Sequence, residues 1–114
     1  MTKQEIFDKV APKLLRQNEK CGVQGEVRFQ CMYKQDNKRC AVGFLIPDGH
    51  PALEANTGVY LLSDNFPDLG FRDNKYFLME LQGIHDANET TYWKPLLLEI
   101  AKRYQLSTEC ISDV

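Results

Sequence analysis

The stretch that decides the fold is FQCMYK (Phe29–Lys34), QDNK (Gln35–Lys38) and RCAVGFLIP (Arg39–Pro47). Apolar and polar residues alternate in both outer runs, which is typical of half-buried β-strands. The polar break between them contains Asp36-Asn37, and these residue types tolerate the left-handed backbone of a tight turn. The pattern therefore predicts an antiparallel β-hairpin in which Lys34 faces Arg39.

Alternation along the strands divides the hairpin side chains between two faces. One face is predicted to be buried and carries Phe29, Cys31, Tyr33, Cys40, Val42 and Phe44. The other face combines cations with small residues, and this combination lets an anionic ligand approach closely. It is the predicted ligand- or partner-binding site, with Arg28, Lys34, Arg39, Ala41 and Gly43. A solvated sheet face, or one that accommodates a helix, is the alternative interpretation.

Helical periodicity surrounds the hairpin. Thr2 and Glu5 fit a capping box before a first amphipathic helix, which Pro12 should kink without dividing it. A further helix is predicted from Asp73 or Asn74, and a last one, capped by Thr91, with its apolar stripe from Trp93 to Tyr104. The run Val59–Leu62 is too short for periodicity to decide, and Thr57 as a cap favours a short helix.

These elements predict an α+β fold: an N-terminal helix, a central antiparallel hairpin, and then mainly helices packed on one face of the hairpin. The 114 residues suit a single domain over 1–114, in which 107–114 form a flexible tail that carries Cys110.

Bulk composition excludes several classes of protein. No apolar run approaches the roughly 20 residues of a membrane span, and the N-terminus has no signal-peptide pattern, so a soluble cytoplasmic protein is expected. Residues 1–47 contain nine Lys/Arg against five Asp/Glu, whereas 48–114 contain five against eleven. The net charge of −2 argues against broad nucleic-acid binding.

Catalytic and metal-binding patterns are weak. Cys40, His50 and Asp48 have the residue types of a catalytic nucleophile, base and acid. A reactive thiol needs an exposed, electropositive environment, whereas Cys40 shares a predicted buried face with aromatic residues. Adding His85 gives a possible zinc set without any local ligand spacing, so neither metal nor cofactor is predicted. His85 and Asp86 are expected to point in different directions on a helix and not to pair. The four cysteines are predicted to be free thiols.

Two motifs resemble those of a known group of proteins. Cys-Ala-Val-Gly-x-Leu-Ile-Pro-Asp begins at Cys40, and Leu-Gln-x-Ile-His-Asp begins at Leu81. With the Thr2–Phe7 start and the last helix, the chain resembles small uncharacterised proteins of bacteria and their phages. The resemblance implies a stand-alone cytoplasmic protein of mobile-element origin, and it supplies no catalytic residues. Pro12 departs from the pattern.

The sequence favours a non-enzymatic binding or accessory protein, phage- or prophage-encoded, that acts on a host protein or a small anionic ligand. The alternative is a small cytoplasmic hydrolase or transferase that uses His50 and His85 with nearby acids. A cleft shared by both histidines and a carboxylate would favour the enzyme.

Overall fold

Four α-helices and two small hairpins make up the computed structural model, which describes residues 1–114. The helices and strands, in chain order, are α1 (Lys3–Gln17), β1 (Gly22–Gln24), β2 (Phe29–Cys31), β3 (Lys34–Gln35), β4 (Lys38–Arg39), α2 (Val59–Asn65), α3 (Lys75–Ala87) and α4 (Trp93–Arg103). Short 3₁₀ helices connect them. This α+β architecture confirms the predicted fold class. None of the helices has the length and apolar character that crossing a membrane requires.

The helices begin and bury their faces largely as the periodicity predicts. Thr2 and Glu5 form the capping box of α1, which continues through Pro12 as one helix. Val59 begins a short helix, although Gly58 and not Thr57 is its cap. On α4 the stripe residue Leu97 is fully buried, whereas Leu98 beside it is 41% exposed.

The central hairpin is confirmed at its turn and is much shorter than predicted. Lys34 pairs with Arg39 in an antiparallel register, and Asp36 has the left-handed backbone expected of the turn, with φ of 57°. The pairing ends there. Strand β2 pairs instead with β1, so that Cys31 faces Gly22. Residues Val42–Leu45 form a 3₁₀ helix, and the predicted second strand up to Pro47 is therefore wrong.

Side chains from elsewhere explain why Val42–Leu45 is helical. Gln82 on α3 accepts a hydrogen bond from Val42 N–H at 3.0 Å, and the Arg39 guanidinium donates to the carbonyls of Gly43 and Ile46. The bond to Gln82 satisfies Val42 N–H at the start of the helix, where N–H groups have no partner within it, and the Arg39 bonds hold its end. Gly43 is required because a Cβ there would lie 2.0 Å from the carbonyl oxygen of Tyr33.

The C-terminal residues pack onto the helices. Ile111 is fully buried within a 3₁₀ helix, Glu109–Ile111. Gln4 exchanges hydrogen bonds with the main chain of Ser107, and Lys94 donates to the carbonyl oxygen of Val114 at 2.6 Å. Residues 107–114, which the sequence predicts to be a flexible tail, thus contact the helices through one buried apolar side chain and these polar groups.

Candidate ligand-binding cleft

The structure does not bring the five predicted binding residues together on one surface. Ala41 and Gly43 are buried, because they belong to the 3₁₀ segment and not to an open strand. The Arg39 side chain is only 15% exposed, and Asp48 and two backbone carbonyls occupy its guanidinium. Arg28 and Lys34 remain exposed. Their binding role stays a prediction, and each lines a different depression.

A cleft of about 210 Å³ lies between β2 and α3 and contains the first of these cations. Strand β2 and the residue before it contribute Arg28, Phe29, Gln30 and Cys31. The segment 56–59 that leads into α2 forms a second side, and Tyr33, Gln82 and Asp86 complete the lining. Helix α3 presents Gln82 and Asp86 together because residues four apart lie on the same face.

A chain of hydrogen bonds fixes the α3 side of the cleft. His85 Nδ1 lies 2.6 Å from Asp86 Oδ1, so the expectation that these neighbours cannot pair is wrong. Gln82 Nε2 donates to the same Asp86 oxygen at 2.9 Å and to Cys31 Sγ at 2.8 Å. The pair forms because Asp86 lies at the end of α3, where its short side chain reaches back to the imidazole.

The tautomer of His85 follows from its second nitrogen. Cys21 N–H donates to Nε2 at 3.0 Å, so Nε2 carries a lone pair and the proton is on Nδ1, which donates to Asp86. The ring is fully buried, stacks on Trp93 and meets Phe29 edge-on. Neither nitrogen is free to accept a substrate proton. His85 therefore links the start of β1 to α3 and does not act as a base.

A metal ion does not suit the same group. The ligand atoms of Cys31, His85 and Asp86 lie within 4.8 Å of one another, and these residue types suit zinc. Metal binding at Nδ1 would displace the proton to Nε2, where the donated N–H of Cys21 already points. None of Cys40, Asp48 and His50, which the sequence combined with His85, joins this group.

The thiols near the cleft are protonated at neutral pH. Hydrogen bonding to Cys40, burial and the Asp86 carboxylate all raise the pKa of Cys31 well above its ordinary value. Burial, with a contribution from Cys40, raises the pKa of Cys21 to about 12. Burial and Asp8 raise the pKa of Cys110 to about 11. All four cysteines are free, as predicted, and a thiolate nucleophile is disfavoured.

His50 belongs to a separate structure. Its Nδ1 accepts from Ala52 N–H at 3.0 Å, which caps the 3₁₀ helix Pro51–Glu54, and its Nε2 donates to Asp68 Oδ2 at 2.7 Å. His50 is therefore held in place by the helix that it caps and by Asp68. His50 lines a depression with Lys34 and Glu54, not the cleft that contains Asp86.

Several polar groups at the cleft have no partner within the protein. The Thr57 hydroxyl oxygen is buried without a hydrogen bond, although Tyr33 OH donates to the carbonyl of the same residue at 2.6 Å. The Arg28 guanidinium makes no hydrogen bond or ion pair, and Asp86 Oδ2 accepts none, since both donors use Oδ1. The two charged groups are accessible to a ligand in the cleft, whereas the Thr57 oxygen is closed off from it.

The chain matches no protein-family model, no curated protein and no solved structure. The resemblance to bacterial and phage proteins therefore remains a proposal that rests on the two motifs.

Of the residues that line the cleft, the sequence predicted only Arg28 to bind a ligand. Asp86 and Gln82 lie within the second motif, four residues apart on a predicted helix, and that spacing was the available signal. Thr57 gave none, because only the tertiary fold places the loop before α2 beside β2.

Proposed function

We propose that the protein is a non-enzymatic binding protein whose site is the cleft between β2 and α3, and that it binds a small anionic ligand through Arg28. The observation that carries the proposal is the Arg28 guanidinium, which lines the cleft and has no partner in the protein. A guanidinium binds carboxylate or phosphate oxygens through two parallel hydrogen bonds. Origin in a phage or prophage stays part of this proposal on the strength of the sequence motifs.

The enzymatic alternative, a hydrolase or transferase that uses His50 and His85, has less support. The two imidazoles do not line a common cleft, and each accepts a backbone N–H on one nitrogen and contacts a carboxylate through the other. A general base needs a free lone pair within reach of the proton that it removes. A host-protein partner, the other option from the sequence, would not need a cleft of only about 210 Å³.

The proposal is tested with acetate, which carries only the anionic group. Amide chemical shifts followed during an acetate titration should move and saturate at Arg28, Cys31 and Thr57. Arg28→Glu reverses the charge and should abolish the saturation, because the carboxylates would repel. The exposed side chain should leave the fold unchanged.

Lys9→Glu is the matched control, since it makes the same charge change on an exposed residue of α1 outside the cleft. It should bind acetate as the wild type does. Equal losses in both variants would assign the effect to net charge, and saturation retained in Arg28→Glu would overturn the proposed site.

A further inference from the structure

Resting on the proposed function, we infer that the ligand of the cleft is a zwitterion of amino-acid size, whose carboxylate is bound by Arg28 and whose ammonium group is bound by Asp86. Both charged residues line the same small cleft, and neither forms an ion pair with the other or with another lysine, arginine or carboxylate. A ligand with only one charge would leave the other residue uncompensated.

The Asp86 carboxylate has one oxygen available to bind a cation. Its Oδ1 is held by His85 and Gln82, while Oδ2 has no partner and the side chain is 32% exposed. Both donors are neutral, because Cys21 N–H fixes His85 in its uncharged tautomer. Lys20 Nζ donates to the backbone oxygen of Asp86 at 3.3 Å and forms no ion pair with the carboxylate. The carboxylate is therefore held in one orientation and forms no ion pair with a lysine or arginine.

The open edge of β2 adds main-chain partners for such a ligand. Gly25 N–H donates to the carbonyl oxygen of Arg28, and Met32 N–H donates to that of Cys21. Because hydrogen-bonded pairs alternate along an antiparallel ladder, the backbone groups of Gln30 also point toward β1. Phe29 and Cys31 consequently direct their N–H and C=O groups away from β1, and both residues line the cleft. An ammonium group and a carboxylate on adjacent carbons can use these acceptors and donors together with the two side chains.

The volume favours a small ligand. The cleft of about 210 Å³ lies below the roughly 300 Å³ at which sites for drug-sized ligands begin. A ligand of amino-acid size suits such a cleft.

The test compares three probes that separate the charges: acetate, methylammonium and glycine. Dissociation constants come from chemical-shift titrations of the wild type, Asp86→Asn and Asp68→Asn. Glycine should bind the wild type at least 10-fold more tightly than acetate or methylammonium. Asp86→Asn keeps an amide oxygen for His85 and Gln82 and loses the charge, so it should weaken glycine binding about 10-fold and should not weaken acetate binding, since it removes a like charge from the cleft. Unchanged melting temperatures would exclude a folding defect.

Asp68→Asn is the matched control, because it makes the same change in the other histidine–carboxylate pair, and it should bind all three probes as the wild type does. Glycine no tighter than acetate, or equal glycine binding by Asp86→Asn, would overturn the zwitterion while acetate binding still supports the proposed function. Failure of both acetate and glycine to bind would overturn the two proposals together.

Discussion

The protein contains the same local arrangement twice, once in its core and once at its surface. His85 and His50 each accept a backbone N–H on one nitrogen and contact a carboxylate through the other. His85 is fully buried between Trp93 and Phe29, whereas the His50 side chain is 15% exposed and lies beside Phe66. Since the two histidines make the same kinds of hydrogen bond, a difference in their contribution to stability comes from their surroundings.

The two pairs differ in function: one only supports the local structure, whereas the other also positions a carboxylate at the candidate site. His50 satisfies a 3₁₀ helix terminus, and its carboxylate, Asp68, is exposed on a loop. His85 connects elements distant in sequence and orients Asp86 toward a cleft that contains Arg28. Only the buried pair therefore combines a fixed carboxylate with a place for a ligand.

The largest expected effect is on stability at the buried pair. His85→Ala removes a packed aromatic ring and leaves Cys21 N–H without an acceptor in the interior, so we expect a loss of about 3–5 kcal/mol of unfolding free energy. Urea denaturation followed by Trp93 fluorescence measures it. A loss below about 1 kcal/mol would mean that the pair is not buried as described.

The exposed pair should matter less. His50→Ala removes one helix cap and an exposed hydrogen bond to Asp68, for which we expect about 1 kcal/mol. The same urea experiment gives the value beside that of His85→Ala. Equal losses in the two variants would break the comparison, because burial would then have no influence on the arrangement.

The smallest effect concerns acid pH. The hydrogen bond with His50 lowers the pKa of Asp68, so its stabilisation is complete above the unfolded value of about 3.9 and is lost as the pH falls through the folded value. Melting temperatures of the wild type and Asp68→Asn should therefore converge below about pH 4. A difference that is constant from pH 6 to pH 3 would exclude this linkage. Glu5, whose pKa Thr2 lowers, titrates alike in both proteins.

Local signals in the sequence predict the helices and the tight turn. The capping box at Thr2, the stripe from Trp93 and the Asp36-Asn37 turn depend on residues within a few positions of one another, and all three are confirmed. Each is decided by propensity and periodicity, which the sequence displays directly.

The rest depends on contacts between distant residues. Alternation at 39–47 is typical of a strand, but Val42–Leu45 forms a 3₁₀ helix to which Gln82 and Arg39 are hydrogen-bonded. The segment 107–114 was predicted to be a flexible tail because it shows no apolar periodicity, yet its Ile111 side chain is fully buried. The sequence predicted the binding site on the hairpin face because the cleft between β2 and α3 is formed by residues that are distant in the sequence.

The most direct test of the central claim is a crystal structure of the protein soaked with glycine. The account predicts glycine in the cleft between β2 and α3, with its ammonium nitrogen about 3 Å from Asp86 Oδ2 and its carboxylate facing Arg28. Glycine bound instead beside His50 and Asp68, or a cleft that stays empty at saturating glycine, would contradict it.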